Sequence, residues 1–325
     1  DTLPDNMTKA SFPGTFAGRF AAERCIAKQV EAGDILICFG NLPPLWKSPA
    51  NVVVLLHQPY LVEKLSLQEF SLWPRLRMTI ERLWLRLFID HADRIIVQTQ
   101  VVANNLRKTF PKVPPISLCA FAPDGVLSAV TARGLSHAQE HSSETDIQNE
   151  STLDRAPLLY DFVYIASSEP HKNHRCLIQA WVELARRGSR PSLALTLDPA
   201  LEPTLCKWVR EESNREGLNI TLLGRLPHHE VLALYQQARA LIFPSYAETL
   251  GLPLIEAQQA GLPIVASDLA FVREIIKPNE SFAAHSPSSI ADAVTRFLKL
   301  QAPREAQLVI QCTDGAGFLA MVLAS

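Results

Sequence analysis

Long apolar runs are missing from this chain of 325 residues. The longest clean one, Val52–Leu56, is strand-sized, far short of the ~20 residues that cross a bilayer. An excess of one charge is also missing: 31 Lys and Arg stand against 33 Asp and Glu, a formal net charge of −2. Nucleic-acid binders show a strongly basic face or domain, so nucleic acid is not an expected partner. Paired cysteines are absent. Cys25, Cys38, Cys119, Cys176, Cys206 and Cys312 lie far apart with no CxxC, which predicts reduced, mostly buried thiols in a cytoplasmic protein. No GxGxxG follows a strand, so a nicotinamide-dependent dehydrogenase is excluded. The polar start, Asp1–Lys9, has no signal-peptide pattern. A chain opening on Asp instead of Met reads as a processed or partial product.

What is present is an ordinary globular composition, 47% hydrophobic and 20% charged, enough for a sizeable core. At ~150 residues per domain the length predicts two domains. A polar seam, Thr131–Pro157, separates them; it has too few large apolar side chains to bury and reads as a linker or loop. Within it His137 and His141 are four residues apart, but a third ligand and a rigid frame are lacking, so no metal site is expected.

After the seam, strand and helix patterns alternate. Phe162–Ala166, Leu193–Leu197, Ile220–Leu223, Ala240–Phe243 and Ile264–Ala266 read as strands. Asn173–Arg187, Leu201–Glu212, His228–Arg239 and Gly251–Ala260 read as helices. Short, continuously apolar strands between helices predict a parallel sheet covered on both faces, with ligands at the carboxyl ends of its strands. The first half reads similarly. Helices are expected at Phe20–Val30, Arg75–Ile89 and Val101–Lys108, and strands at Ile35–Phe39, Val52–Leu56 and Arg94–Val97. The Arg75–Ile89 helix is expected to turn its apolar face to the core and its arginines to water, with peripheral membrane contact as the other reading.

The chemistry concentrates in Leu241–Ile276. A strand ends at Phe243, a loop carries Glu248, Gly251 opens a helix, and Glu256 follows in its early turns. Free backbone N–H groups at a helix start bind anions, and Gly251 lets a ligand come close. Carboxylates accept hydrogen bonds from sugar hydroxyls. Phosphate plus polyol means a nucleotide sugar. Alone, the same glutamates would also suit a capped, solvated helix start.

These residues resemble the signature of retaining GT-B glycosyltransferases of family 4: Pro244, Ser245, Glu248, Gly251, Pro253, Glu256 and Ala257, followed by Ala260–Asp268. The resemblance runs from about Phe162 to Ile276 and extends more weakly to Ala92–Leu106. It implies two Rossmann-like domains facing across a cleft: 1–130 on the acceptor side, and 158–325 binding the nucleotide sugar, with a final helix at Ala316–Ala324 crossing back. It places Glu248 on the donor sugar, Glu256 on the ribose and the amides of Leu250, Gly251 and Leu252 on the diphosphate. Lys172 would stabilise the leaving diphosphate. The Arg that many members carry five residues earlier is Ser167 here. Gly224 and Arg225 would pack the base, Ser245 and Thr249 complete the donor set, and His57 would face the donor sugar.

The implied reaction moves a mannose- or glucose-type sugar from a GDP- or UDP-sugar to a glycan or lipid-linked acceptor, in surface polysaccharide synthesis. No metal is required; no DxD motif stands where it could hold one. The opening strand and Gly-rich loop usual in this fold are not found before Phe20, Phe12-Pro13-Gly14 being the nearest candidate, so the first domain is expected to be shortened. Ser167 and that short front leave a non-catalytic binding or partner subunit as the alternative.

Overall fold

The computed structural model describes residues 10–63, 65–68, 70–122, 158–300 and 306–324. The seam, including His137 and His141, lies outside them.

The first half contains α1 (Phe16–Gln29), β1 (Ile35–Cys38), β2 (Asn51–Leu56), α2 (Pro59–Val62), α3 (Leu72–Phe88), β3 (Arg94–Val97), α4 (Gln100–Thr109) and β4 (Ile116–Leu118). The strands form a parallel sheet in the order β1-β2-β3-β4. Its pleat explains the unbroken apolar run of β2. Val52, Val54 and Leu56 enter the cluster with Leu61, Leu85 and Leu106, while Val53 and Leu55 face the other way. β4 was not foreseen; it is three residues long and follows Pro114-Pro115, which reads as a break.

The second half contains β5 (Tyr160–Tyr164), α5 (His174–Arg186), β6 (Leu193–Leu195), α6 (Pro203–Glu216), β7 (Ile220–Leu222), α7 (His228–Gln236), β8 (Ala238–Phe243), α8 (Leu252–Gln259), β9 (Ile264–Ser267), α9 (Ala270–Ile275), β10 (Ile276–Lys277), β11 (Glu280–Phe282), α10 (Pro287–Leu298), β12 (Gln307–Leu308) and α11 (Gly315–Leu323). Six strands pair in parallel in the order β11-β9-β8-β5-β6-β7, and β10 pairs antiparallel with β12. α10 was not foreseen, although Ser286 caps it, Pro287 starts it and Ile290, Val294 and Phe297 keep helical spacing on its buried side.

The order of this sheet reverses between β5 and β8. The chain builds outward through β6 and β7, returns to β8, and builds the other way. The loops leaving β5 and β8 therefore diverge to opposite sides and open a crevice at the carboxyl ends of two adjacent strands.

Two strips of chain join the halves. Phe121 bridges to Thr313, with Ala122 N–H donating to Thr313 O at 3.0 Å and Thr313 N–H to Ala120 O at 2.8 Å. Beyond Thr313, α11 lies on the first sheet: Phe318 and Val322 pack with Val53, Leu55 and Ile96. Arg94 donates to the carbonyls of Met321 and Val322, at the helix end where a cation is favourable.

The expectation for α3 is corrected. Its leucine side faces water, and Leu85 is its buried residue. The reason lies on the two flanks of the Leu85 side: Arg82 donates to the carbonyls of Tyr60, Glu63 and Leu65, and the Trp84 indole donates to Pro43 O at 2.9 Å. Those polar anchors, with Leu85 and the half-buried Trp84, set the rotation of the helix.

Candidate functional site

The crevice between β5 and β8 brings Lys172 and Glu248 together. Lys172 Nζ lies 2.7 Å from Glu248 Oε1, with the side chains 18% and 11% exposed. The two residues are 76 apart in sequence, and the topology alone makes them neighbours.

Several bonds hold the two loops in register. Tyr164, ending β5, donates its hydroxyl to Lys172 O at 2.7 Å and lies 2.9 Å from Ser245 Oγ. Burial raises its pKa well above the ordinary phenol value, so it stays a neutral donor. Asn173 sits in the left-handed region at φ 63°. From there its amide donates to Pro244 O at 3.0 Å and Ala284 O at 2.7 Å, tying both loops to the segment after β11. Asparagine suits that conformation better than most side chains. Tyr246 N–H donates to His171 O at 2.9 Å, and Ser267 Oγ to Ser245 O at 2.8 Å.

Gly251 caps α8 at φ 65° with no side-chain hydrogen bond. A Cβ there would be strained by the backbone angle and would lie 3.3 Å from Leu254 Cδ1. Pro253 has no N–H and Leu254 N–H turns back to Gly251 O at 2.9 Å, so at the start of α8 the Leu252 amide has no acceptor inside the helix and no side-chain cap beside it, an arrangement that can receive an anion. Leu250 is buried and offers only its backbone, and Leu252 is half-buried.

Glu256 forms a second cluster. Its carboxylate takes a hydrogen bond from Tyr235 OH at 3.0 Å and lies 3.1 Å from His228 Nε2. Both partners come from α7, and neither was singled out in the sequence. The helical spacing of His228 and Tyr235, seven residues apart, was the available signal. Burial and the Glu256 charge hold the Tyr235 hydroxyl protonated.

Ser167 and Arg225 meet elsewhere, lining a cavity of about 330 Å³ together with Thr196, Asp198 and Glu202. The Ser167 hydroxyl bonds to Glu169. Gly224 precedes Arg225 at φ 77°, at the end of β7. Ser245 is fully buried with its hydroxyl on Tyr164, so it braces the loops from beneath and presents nothing to the crevice.

The first half reaches the site through the loop after β2. Thr249 Oγ1 donates to His57 O at 3.3 Å. Asn41 fixes His57 twice, its Oδ1 accepting from His57 N–H at 2.7 Å and its amide lying 3.3 Å from His57 Nε2. Burial lowers the His57 pKa. Tyr60 OH receives the His171 N–H at 3.2 Å, and burial, reinforced by the Lys172 charge, pushes His171 down to about 4. Glu63 is raised by burial, with Asn105 pulling it back and Glu248 adding to the rise. Glu63, Asn105, Lys108 and Tyr246 line an interdomain cavity of about 510 Å³. A larger one, about 1110 Å³, borders the Lys172 loop through Glu169, Pro170 and Asn173. Lys172 and Glu248 line neither cavity.

Among the described residues, no group of three or more His, Cys, Asp or Glu is placed to hold a metal. Nor is any helix there long and apolar enough to cross a membrane.

The backbone superposes on solved glycosyltransferases. TarM from S. aureus, crystallised with UDP, gives a TM-score of 0.59 at 15% identity, over 87% of this chain and 52% of that one. An α,α-trehalose 6-phosphate synthase from Burkholderia multivorans gives 0.60 at 14%, over 88% and 68%. The fold is GT-B. Within it, residues 154–310 match the family model of glycosyl transferases group 1. That segment holds both loops of the GT-B crevice. Among curated proteins, the serotype-specific mannosyltransferase WbdA of Escherichia coli is 29% identical over 226 residues, 67% of this chain and 27% of WbdA. The O-antigen chain mannosyltransferase B of the same species is 33% identical over 140 residues, 40% of this chain and 36% of that protein. The aligned stretch thus spans between a quarter and two fifths of those relatives.

Proposed function

We propose that this chain is a retaining glycosyltransferase. It moves a mannose- or glucose-type sugar from a GDP- or UDP-sugar to a glycan or lipid-linked acceptor, in the cytoplasm, for surface polysaccharide. The observation that carries the reading is the pairing of Lys172 with Glu248 beside the uncapped start of α8, at the sheet's reversal point. The E. coli mannosyltransferases among its relatives favour mannose and polysaccharide synthesis.

In this reading the diphosphate lies on the amides of Leu250, Gly251 and Leu252 at the start of α8, with the Lys172 ammonium turned to it. Both offset the charge that grows on the leaving oxygen. Lys172 then exchanges its Glu248 partner for phosphate, which frees Glu248 to accept the sugar's hydroxyls. Glu256, held by His228 and Tyr235, accepts the ribose hydroxyls. Attack comes from the face the diphosphate leaves: the acceptor oxygen bonds to the anomeric carbon as the carbon–phosphate-oxygen bond breaks. The acceptor proton passes to the departing phosphate oxygen, so no side-chain base and no metal are needed. His57, fixed by Asn41, and the Glu63–Asn105 cavity stand on the acceptor side. Closure of the halves around the ligands excludes water.

A thermal-shift series with GDP, UDP, ADP and dTDP tests the donor site. Ligand at about 100 times its Kd stabilises by roughly 2.7 kcal/mol, enough to move Tm by several degrees. One base is expected to shift Tm, and Glu256→Ala to lose the shift. No shift with any base overturns the reading; a shift without sugar transfer to any glycan acceptor makes the chain a binding subunit.

A further inference from the structure

α3 holds its leucines in water. At 3.6 residues per turn, Leu72, Leu76, Ile80, Leu83 and Leu87 fall within one arc of about 80°. Leu72 is 81% exposed, Leu76 52%, Leu83 55% and Leu87 60%. Trp73, 81% exposed, borders the arc at the first turn. A helix of a soluble domain normally turns such a stripe inward. Here Leu85 packs on the body opposite the stripe, Arg82 and Trp84 anchor the two flanks, and the stripe is left for something else to cover.

The charges beside the stripe say what fits. Arg75 and Arg86 project along one edge and Arg77 along the other, all exposed. Glu81 is the one acidic residue of the helix, and Arg77 pairs with it at 2.8 Å. A cationic helix on a chain of net charge −2 is a local feature, not an overall bias. A second copy of the same stripe would bring like arginines together. An anionic bilayer has no such conflict. Leucines enter the acyl boundary, guanidinium groups stay among the phosphates, and a tryptophan settles at the interface.

The position fits as well. Ser71, which precedes α3, lines the 1110 Å³ interdomain cavity together with Leu65 and Ser66. Arg82 holds the Leu65 carbonyl from inside the helix. We infer that the outward stripe of α3, from Leu72 to Leu87, docks this chain on an anionic lipid bilayer, with the cavity mouth at the membrane surface. The docking is independent of sugar transfer; that a lipid-linked acceptor enters at that mouth rests on the glycosyltransferase reading.

Co-sedimentation with vesicles tests this, using phosphatidylcholine alone and phosphatidylcholine mixed with phosphatidylglycerol. The chain is expected to pellet with the mixed vesicles and to be released by high salt. Arg75→Glu with Arg86→Glu should weaken that binding by roughly thirtyfold or more, the effect of two surface cations on an anionic bilayer. Leu76→Ser with Leu83→Ser should abolish it. Both double variants change exposed side chains, so circular dichroism and the nucleotide-induced Tm shift should match the unaltered chain. Absence of binding to mixed vesicles, or equal binding by the variants, overturns the inference. So does a stripe variant that changes the molar mass in lipid-free light scattering, which would make a second copy the cover. The nucleotide shift, read in the same samples, keeps a failure of docking distinct from a failure of the donor site.

Discussion

The two parallel sheets differ in how their strand order runs. The first proceeds β1-β2-β3-β4 without reversal, while the second reverses between β5 and β8. Reversal parts two loops at neighbouring strand ends and makes a crevice there; a sheet that runs one way has no such place. Lys172, Glu248, Asn173 and Gly251 all belong to those two loops. The first sheet offers the crevice a few edge contacts, from His57 and Tyr60. Side chains in the second-half loops should therefore govern chemistry and stability, and those of the first half should tune them.

The largest effect is expected at Lys172. Lys172→Ala should lower sugar transfer about 10²–10³-fold, the range for removing one stabiliser of a developing anion. Steady-state kinetics with the donor that shifts Tm would measure it, and an unchanged kcat would end the comparison at its strongest point.

Next comes pH. His171 and His174 are both pushed down to about 4 by burial, the Lys172 charge adding to it. Unfolded, each takes up its proton near 6.5. Between those values the unfolded chain binds more protons, so stability is full above about 6.5 and is lost as pH falls toward 4, by up to about 3 kcal/mol per histidine. Tm measured from pH 7 to 4 should fall, and His174→Gln should flatten the slope.

A smaller loss is expected from Asn173→Ala, which removes two hydrogen bonds and leaves alanine in a left-handed conformation. About 2 kcal/mol follows, read as a fall of several degrees in Tm. Asn173→Gly, which keeps the backbone angle, should lose less. The smallest effect belongs to the first half. Tyr60→Phe removes the hydroxyl that accepts the His171 N–H and lies 3.2 Å from His171 Nδ1, costing about 1 kcal/mol. That should raise donor KM up to about fivefold, with kcat nearly unchanged. An effect at Tyr60 as large as at Lys172 would mean that both halves build the crevice equally.

The strands of both halves were legible because buried parallel strands are short, continuous apolar runs such as Val52–Leu56 and Leu241–Phe243. β4, β10, β11 and β12 were not, since two or three residues with one or no buried side chain leave no such run. In the site, Glu248, Glu256 and Gly251 could be picked out because they lie on one strand–loop–helix segment. Asn41, Tyr60 and Glu63 could not, because each acts on the second half or on His57 from a distant part of the chain. Ser245 sits in the legible segment, yet its side chain turns down onto Tyr164, and a loop residue's direction has no periodicity to reveal it.

The sequence by itself determined the alternation of strand and helix, and the spacing of Glu248 and Glu256 around a helix start. Both follow from local periodicity and backbone chemistry. Only the tertiary structure decided that Lys172 pairs with Glu248, that His228 and Tyr235 hold Glu256, and that α3 shows water its leucines. Pairing depends on the order in which strands enter the sheet, which no local pattern encodes. The rotation of α3 depends on whether its leucines or its Arg82 and Trp84 find partners on the body, and those partners come from other parts of the chain.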